Sequence, residues 1–132
     1  MDRNECKRLI EMAIEAREDA YTPYSDFKVG AAVLTDDGKV FTGCNIENAS
    51  YGATICAERT ALVKAISNGH RNFTALAVVG KKGSYTYPCG ICRQFIIEFG
   101  KHIKIIVAKA PENYKIFEIE ELLPFGFTRE DL

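Results

Sequence analysis

Two short cysteine segments constrain the fold of this chain most, because a shared metal ion would require them to meet in space. They read Cys56-Ala57-Glu58-Arg59-Thr60 and Pro88-Cys89-Gly90-Ile91-Cys92. Zinc favours thiolate and imidazole ligands, and a catalytic zinc keeps three protein ligands so that water can take the fourth position. Cys56, Cys89 and Cys92 can supply these three ligands, which predicts one zinc ion per chain.

Glu58 lies two residues after the first cysteine and is the candidate proton carrier. Zinc deaminases carry a metal ligand, one residue, a glutamate that does not bind metal, and later P-C-x-x-C. Zinc lowers the pKa of its bound water from 15.7 to about 7, so hydroxide forms at neutral pH and can attack a ring carbon that bears an amine. The alternative is that Glu58 only stabilises the dipole of a helix.

Arg59 could support the zinc site without binding the metal, and four other residues could in principle bind it. Three thiolates on Zn²⁺ leave a formal charge of -1, and the Arg59 guanidinium could compensate it by hydrogen bonding to sulfur. A surface ion pair is the alternative for Arg59. A structural zinc site would need a fourth ligand, but the spare candidates have no finger-like spacing to the cysteines: Cys6, Cys44, His70 and His102.

Bulk composition excludes several classes of partner. The 132 residues have a formal net charge of -1, whereas polynucleotide binding uses clustered cations. No apolar run has the roughly 20 residues that a membrane crossing needs. Five cysteines without an export signal favour reduced, metal-binding thiols. We therefore expect one cytoplasmic domain over residues 1–132, without nucleic-acid or membrane partners.

Hydrophobic periodicity predicts an alternation of helices and strands. Helices are expected over 2–20, 56–68 and 89–99, strands over 27–35, 39–46, 73–80, 102–109 and 114–119, and a helical turn over 120–123. Asp36-Asp37-Gly38 indicates a hairpin between the first two strands. Strands joined through helices favour parallel pairing with helices on the sheet faces. The predicted fold is α/β, a three-layer α/β/α sandwich around a five-stranded mixed sheet.

The cysteine segments and a third one together resemble a known family. Cys44-Asn45-Ile46-Glu47-Asn48-Ala49-Ser50-Tyr51, the segment from Cys56 to Leu62 and the segment from Pro88 to Gln94 resemble the small homotetrameric cytidine deaminases. The resemblance extends to Pro23-Tyr24-Ser25 and Glu121-Leu122-Leu123-Pro124 and covers nearly the whole chain. It implies zinc-dependent hydrolysis of cytidine and 2'-deoxycytidine to uridine and 2'-deoxyuridine, with release of ammonia.

The resemblance also implies roles for residues outside the metal site. Asn45 and Glu47 match positions that hold the ribose, chiefly its 3'-hydroxyl, although they could merely order a loop. Phe27 matches an aromatic residue beside the nucleoside, and the Ala57 N–H matches a donor to the base carbonyl. A carboxy-terminal phenylalanine from a neighbouring subunit completes each pocket in that family. Phe127 fits it best by its offset from Pro124, and Phe125 is the competitor.

Two further positions concern the pocket and its substrate. Tyr51 matches a residue near the subunit contact, and Tyr87 stands where the family more often has serine or threonine before Pro88. A nucleotide deaminase would need a phosphate grip, and no glycine-rich loop with a lysine is evident. A deaminase of an aminonucleoside antibiotic would share the zinc residues, but the segment from Asn45 to Asn48 favours an ordinary ribose or deoxyribose.

Overall fold

A five-stranded mixed sheet lies at the centre of the protein. The structure is a computed structural model, and it describes residues 1–132. The helices are α1 (Arg3–Arg17), α2 (Ala57–Ser67), α3 (Gly90–Ile97) and the single turn α4 (Ile119–Leu122), and the strands are β1 (Gly30–Thr35), β2 (Val40–Cys44), β3 (Phe73–Val79), β4 (Lys104–Ala110) and β5 (Asn113–Glu118). None of the helices combines the length and the apolar character that a membrane crossing requires.

The strand order is β2-β1-β3-β4-β5, and the connections explain the pairing. Two hairpins make β1–β2 and β4–β5 antiparallel, and β1 also pairs with β3 antiparallel. Only β3 and β4 are parallel, and α3 is the crossover between them. A crossover helix returns the chain to the same end of the sheet, so it produces a parallel pair. The predicted mixed sheet is therefore confirmed.

Helices cover both faces of the sheet and create two cores. One core of ten buried residues joins α1 to the sheet, and the other, of 16 buried residues, joins α2 and α3 to the opposite face. Strand β3 serves both, because Leu76 and Val78 point to the second core while Ala77 and Val79 point to the first. Alternation along a buried strand produces this division, and the predicted three-layer α/β/α arrangement is confirmed.

The first predicted strand is shorter than expected, for a physical reason. It begins at Gly30 instead of Phe27, because the Asn45 side chain takes the place of a neighbouring strand. The Val29 N–H donates to Asn45 Oδ1 at 2.9 Å, and Asn45 Nδ2 donates to the Phe27 carbonyl at 2.8 Å. A polar side chain thus satisfies the backbone just before β1.

Close packing holds the end of β2 against the first turn of α2. A Cβ atom at Gly43 would collide with the backbone of Ala57 and Ala61, so only glycine allows this approach. The segment after Cys44 therefore leaves the sheet beside the start of α2. This contact places the Asn45 and Glu47 segment next to the first cysteine segment.

Candidate zinc-dependent active site

Three cysteine sulfurs meet where α2 and α3 begin. The Sγ atoms of Cys56, Cys89 and Cys92 all lie within 4.8 Å of one another, and those of Cys56 and Cys89 are 3.7 Å apart. Two sulfurs at about 2.3 Å from a tetrahedral zinc lie about 3.8 Å from each other. The donor set and its spacing therefore fit zinc, as predicted. We call these residues, with Glu58 and Arg59, the cysteine cluster.

The helix starts explain how the sulfurs are presented. Cys56 is the N-cap of α2 and Cys89 is the N-cap of α3, both with extended backbone, and neither side chain caps its helix. Their sulfurs therefore remain available to a metal. Helix N-termini favour negative charge and lower the pKa of a thiol. Cys92 follows in the first turn of α3 and is fully buried, so the ion would lie between two helix ends.

Hydrogen bonds to sulfur stabilise negative charge at Cys56. A hydrogen bond from the Cys92 thiol and a further one from Arg59 lower the pKa of Cys56 to about 5. The shared proton has the opposite effect on Cys92, whose pKa rises because its thiol donates to Cys56 and is buried. Without a metal, the cluster thus readily holds one thiolate. A bound dication would favour the thiolate form of all three cysteines.

Arg59 lies against the sulfurs and keeps an unused donor. Its Nη2 donates to Cys56 Sγ at 3.3 Å. Its Nε is buried and has no hydrogen-bond partner. Every other buried side-chain nitrogen or oxygen in the structure has one. A buried donor without an acceptor is costly, and thiolate charge brought by a metal would favour the guanidinium beside it. Arg59 is thus placed to neutralise charge at the sulfurs.

Glu58 occupies the second position of α2, beside the first metal ligand. Its side chain is buried, with 3% exposure. Burial raises the pKa of Glu58 to about 7, helped by the Cys56 thiolate and opposed by the residue's own backbone N–H and by Arg59. A dication next to the carboxyl group would lower this pKa again. The side chain is therefore shielded from water, next to the sulfurs.

Asn45 and Glu47 bind the loop that carries Phe27. Glu47 accepts hydrogen bonds from the backbone N–H groups of Tyr24, at 3.0 Å, and Ser25, at 3.1 Å, and from the Ser25 hydroxyl. The Ser25 hydroxyl is the main cause of the lowered pKa of Glu47. Both side chains therefore order this loop, the alternative that the sequence left open beside sugar binding. Ser25, Phe27, Asn45 and Glu47 form the loop cluster.

The remaining predicted substrate contacts lie at or near the surface, with one exception. Ala57 is buried and is the first residue of α2, where backbone N–H groups lack partners within the helix. Phe27 is 39% exposed. Phe127 is 56% exposed, and its carbonyl accepts a hydrogen bond from Gln94 on α3. Phe125 is fully exposed, with a positive φ of 58°.

The residues predicted not to bind metal have other partners or positions. His70 Nδ1 lies 3.7 Å from an Asp37 carboxylate oxygen, and His102 Nδ1 lies 2.6 Å from one of Glu118. Cys6 is buried in the core beside α1. Burial raises the pKa of the Cys44 thiol, and Cys44 is not part of the three-sulfur group.

Two further residues, which the sequence pattern does not reveal, hold the segments around the site in position. Arg93 donates from Nε to the Pro88 carbonyl and from Nη1 to the Leu122 carbonyl, both at 2.8 Å. It thereby ties the segment before Cys89 to the end of α4. Ser25 binds Glu47 across the loop cluster. A cation in the first turn of a helix, where the dipole disfavours it, is the signal that could have revealed Arg93.

Comparisons with known proteins agree with this geometry. Residues 3–109 match the zinc-binding region of cytidine and deoxycytidylate deaminases. The chain is similar to a cytidine deaminase from Halalkalibacterium halodurans, with 50% identity over 133 aligned residues that span all of this chain and 98% of the other.

Solved structures show the same likeness in three dimensions. A cytidine deaminase from Burkholderia pseudomallei superposes with a TM-score of 0.86 at 50% identity, covering 91% of this chain and 97% of the other. One from Mycobacterium tuberculosis superposes with a TM-score of 0.81 at 43% identity, covering 96% of this chain and 98% of the other.

Proposed function

Because this chain belongs to the cytidine deaminase family, we propose that it hydrolyses cytidine and 2'-deoxycytidine, with Glu58 as the proton carrier. Water adds to the ring carbon that bears the amine, and ammonia leaves, so the products are uridine and 2'-deoxyuridine. The single observation that carries the proposal is the buried Glu58 carboxyl group beside three sulfurs at zinc-binding separation.

Glu58 moves protons in this mechanism. When zinc is bound by Cys56, Cys89 and Cys92, it supplies a Lewis acid that makes a water molecule nucleophilic at neutral pH. The Glu58 carboxylate accepts the proton that this water loses and delivers it to the ring nitrogen next to the attacked carbon. It then takes the second proton of the same water, now the hydroxyl on the attacked carbon, and transfers it to the departing amine, so that a carbonyl forms as ammonia leaves. Burial of Glu58 keeps bulk water from competing for these protons.

The neighbouring groups orient the base and the sugar. The Ala57 N–H donates to the base carbonyl, since it lies at the start of α2 without an intrahelical acceptor. Phe27 packs beside the nucleoside, while Asn45 and Glu47 bind the 3'-hydroxyl. Glu47 suits this task because the Ser25 hydroxyl lowers its pKa and keeps it an anion, a strong hydrogen-bond acceptor.

We also propose a homotetramer in which Phe127 closes the pocket of a neighbouring subunit. Exposed aromatic side chains favour an interface, and the chain has three well suited to it: Tyr51, Phe125 and Phe127. Five reduced cysteines, three of them metal ligands, suit the reducing cytoplasm as its location.

A substrate panel tests the activity. Zinc-loaded protein is incubated with cytidine, 2'-deoxycytidine, cytosine and an aminonucleoside antibiotic, and the ultraviolet change that accompanies loss of the amine is followed. We expect turnover of both nucleosides and not of cytosine, which lacks the sugar. Turnover of the antibiotic alone would indicate a deaminase of aminonucleoside antibiotics instead of a cytidine deaminase.

Subunit mixing tests the shared pocket. Phe127→Ala should lower kcat/KM for cytidine, and so should Glu58→Gln. If Phe127 acts on a neighbour, hybrid tetramers of the two variants regain pockets with both residues intact, and activity recovers. Phe125→Ala is the matched control. No recovery in verified hybrids, or a larger effect at Phe125, would contradict this assignment.

A further inference from the structure

The helix α3, which presents two of the three sulfurs, also holds the carboxy-terminal part of the chain. Two consecutive side chains of this helix donate to backbone carbonyls there. Arg93 Nη1 donates to the Leu122 carbonyl at 2.8 Å. Its neighbour Gln94 donates from Nε2 to the Phe127 carbonyl, also at 2.8 Å. We call residues 122–128 the tail segment, and α3 thus binds it at two points.

Few other hydrogen bonds orient the tail segment around Phe127. The bond from Gln94 is the only one that the Phe127 backbone makes within the chain. The Gly126 N–H donates to the Leu123 carbonyl at 3.1 Å, a contact inside the segment itself. Phe125 is fully exposed and has a positive φ of 58°, so its side chain does not anchor the segment. Gln94 is therefore the polar contact that ties Phe127 to the rest of the structure.

The neighbours of Phe127 are packed, whereas its ring is exposed. Gly126 lies against α3, since a Cβ atom there would come within 3.0 Å of Ile97 Cδ1. Thr128 is buried, and Phe127 between them is 56% exposed. Because the peptide group is rigid, a hydrogen bond to its oxygen limits backbone rotation between two packed neighbours. The bond from Gln94 thus fixes the direction in which the ring leaves the protein.

Arg93 makes a second bond, which reaches the metal site of its own subunit. Its Nε donates to the Pro88 carbonyl at 2.8 Å, immediately before Cys89. Arg93 therefore acts on the segment that delivers a metal ligand. The one hydrogen bond of the Gln94 side chain goes instead to the tail segment. Two neighbours on α3 thus have different tasks, and their variants can be told apart.

We propose that Gln94 is a positioning residue for the Phe127 ring, so that the helix presenting metal ligands of one pocket also determines how a neighbouring pocket is closed. This inference rests on the proposed function, in which Phe127 reaches the pocket of a neighbouring subunit. Gln94 itself touches no substrate and acts through the ring. Loss of its amide should therefore weaken cytidine binding and leave the proton transfer by Glu58 intact.

A double-mutant cycle tests whether Gln94 acts through Phe127. Gln94→Met keeps the length of the side chain and removes the donor, so KM for cytidine should rise about three- to tenfold with little change in kcat. In the Phe127→Ala background the same substitution should have no further effect, since no ring remains to be positioned. Asn68→Leu is the matched control and should leave KM unchanged, because the Asn68 amide donates to the Lys64 carbonyl at 2.7 Å, at the end of α2. An equal rise in KM in both backgrounds, or a rise in neither, overturns the proposal.

Hybrid tetramers test whether the effect reaches the neighbour. When Gln94→Met subunits are mixed with Glu58→Gln subunits, the active pockets belong to the former, and a Glu58→Gln neighbour supplies them with a correctly held Phe127. KM should then fall back toward the wild-type value. Arg93→Gln should keep its lowered kcat/KM in the same mixture, because its bond to Pro88 lies in the subunit of the active Glu58. A KM of Gln94→Met that stays raised in verified hybrids overturns the proposal.

Hydrogen exchange separates this proposal from the proposed function. Backbone amides of the tail segment should exchange about three- to tenfold faster in zinc-loaded Gln94→Met than in the wild type, and at the wild-type rate in Asn68→Leu. This measurement needs no turnover. Absence of cytidine turnover would refute the proposed function, whereas unchanged exchange in Gln94→Met would refute the positioning role.

Discussion

At the cysteine cluster, the side chains are positioned by the first turns of two helices, whereas at the loop cluster the side chains are positioned by hydrogen bonds between loops. Cys56 and Cys89 are helix N-caps, and Glu58 and Cys92 are buried. Asn45 and Glu47 instead bind backbone groups of the 24–29 segment.

We expect this difference to separate the residues that carry out the chemistry from those that recognise the substrate. A side chain on a packed helix has few alternative positions, so removal of its functional atom should abolish a step. A side chain that holds a loop shares its task with several hydrogen bonds, so its removal should weaken binding gradually. The following four variants test this contrast, in order of decreasing expected effect.

Glu58→Gln should have the largest effect. The amide keeps the size of the carboxyl group but cannot carry protons, so kcat for cytidine should fall by about 10²- to 10⁴-fold. Zinc content, measured by elemental analysis, should stay near one per chain, since Glu58 is not a ligand. Glu98→Gln, at the exposed C-cap of α3, is the control and should leave kcat unchanged. A Glu58→Gln enzyme with near-normal kcat would remove Glu58 from the reaction.

Arg59→Gln should act through the metal. Loss of the hydrogen bond to Cys56 Sγ leaves the thiolate charge uncompensated, and zinc affinity should fall by about 10- to 100-fold. Competition with a chelator of known affinity measures this change. Arg71→Gln is matched to it, because Arg71 donates only to the carbonyls of Ile66 and His70. Equal zinc affinity in both variants would show that Arg59 does not stabilise the bound metal.

Glu47→Gln should mainly change substrate binding. Replacing a charged acceptor by a neutral one should raise KM for cytidine by about tenfold with little change in kcat. The same variant should leave KM for 3'-deoxycytidine unaltered, since that nucleoside lacks the hydroxyl. If both KM values rise together, Glu47 only orders the loop. Glu118→Gln, a second surface carboxylate with a lowered pKa, is the control.

Ser25→Ala should have the smallest effect and should show it in acid. The Ser25 hydroxyl lowers the pKa of Glu47 from its ordinary 4.5, so the anion and its bonds to the loop persist until the pH falls through this lowered pKa. Without the hydroxyl the pKa rises, and the acid increase in KM for cytidine should move to higher pH. Kinetics between about pH 4 and pH 7 measure it.

The control for Ser25→Ala is Thr74→Val, which removes a hydroxyl bound to the Asp36 carboxylate at 2.8 Å. This variant should keep the wild-type KM profile. An acid profile of Ser25→Ala that coincides with that of the wild type would show that the hydroxyl does not hold Glu47.

The elements of the fold were predictable because hydrophobic periodicity is local. All five strands and the three main helices lie where their patterns indicated, and the parallel β3–β4 pair follows from the helix between them. The start of β1 was predicted three residues too early. Val29 and Phe27 are apolar, as in a strand, but their backbone groups bind the Asn45 side chain, a contact that no local pattern encodes.

The two clusters differed in how far they could be predicted. The cysteine cluster was predictable because zinc accepts few ligand types in one geometry, so a chemical requirement replaced knowledge of the fold. In the loop cluster, the bond between Ser25 and Glu47 joins segments on either side of a hairpin. Arg93 likewise acts on backbone carbonyls, which have no sequence signature.

The sequence by itself determined the three-layer architecture and the meeting of Cys56, Cys89 and Cys92, because both follow from short-range pattern and ligand chemistry. Only the tertiary structure decided the partnerless Arg59 donor and the hydrogen bond from Gln94 to the Phe127 carbonyl. Hydrogen bonding depends on distance in space, and the chain order of these residues carries no information about that distance.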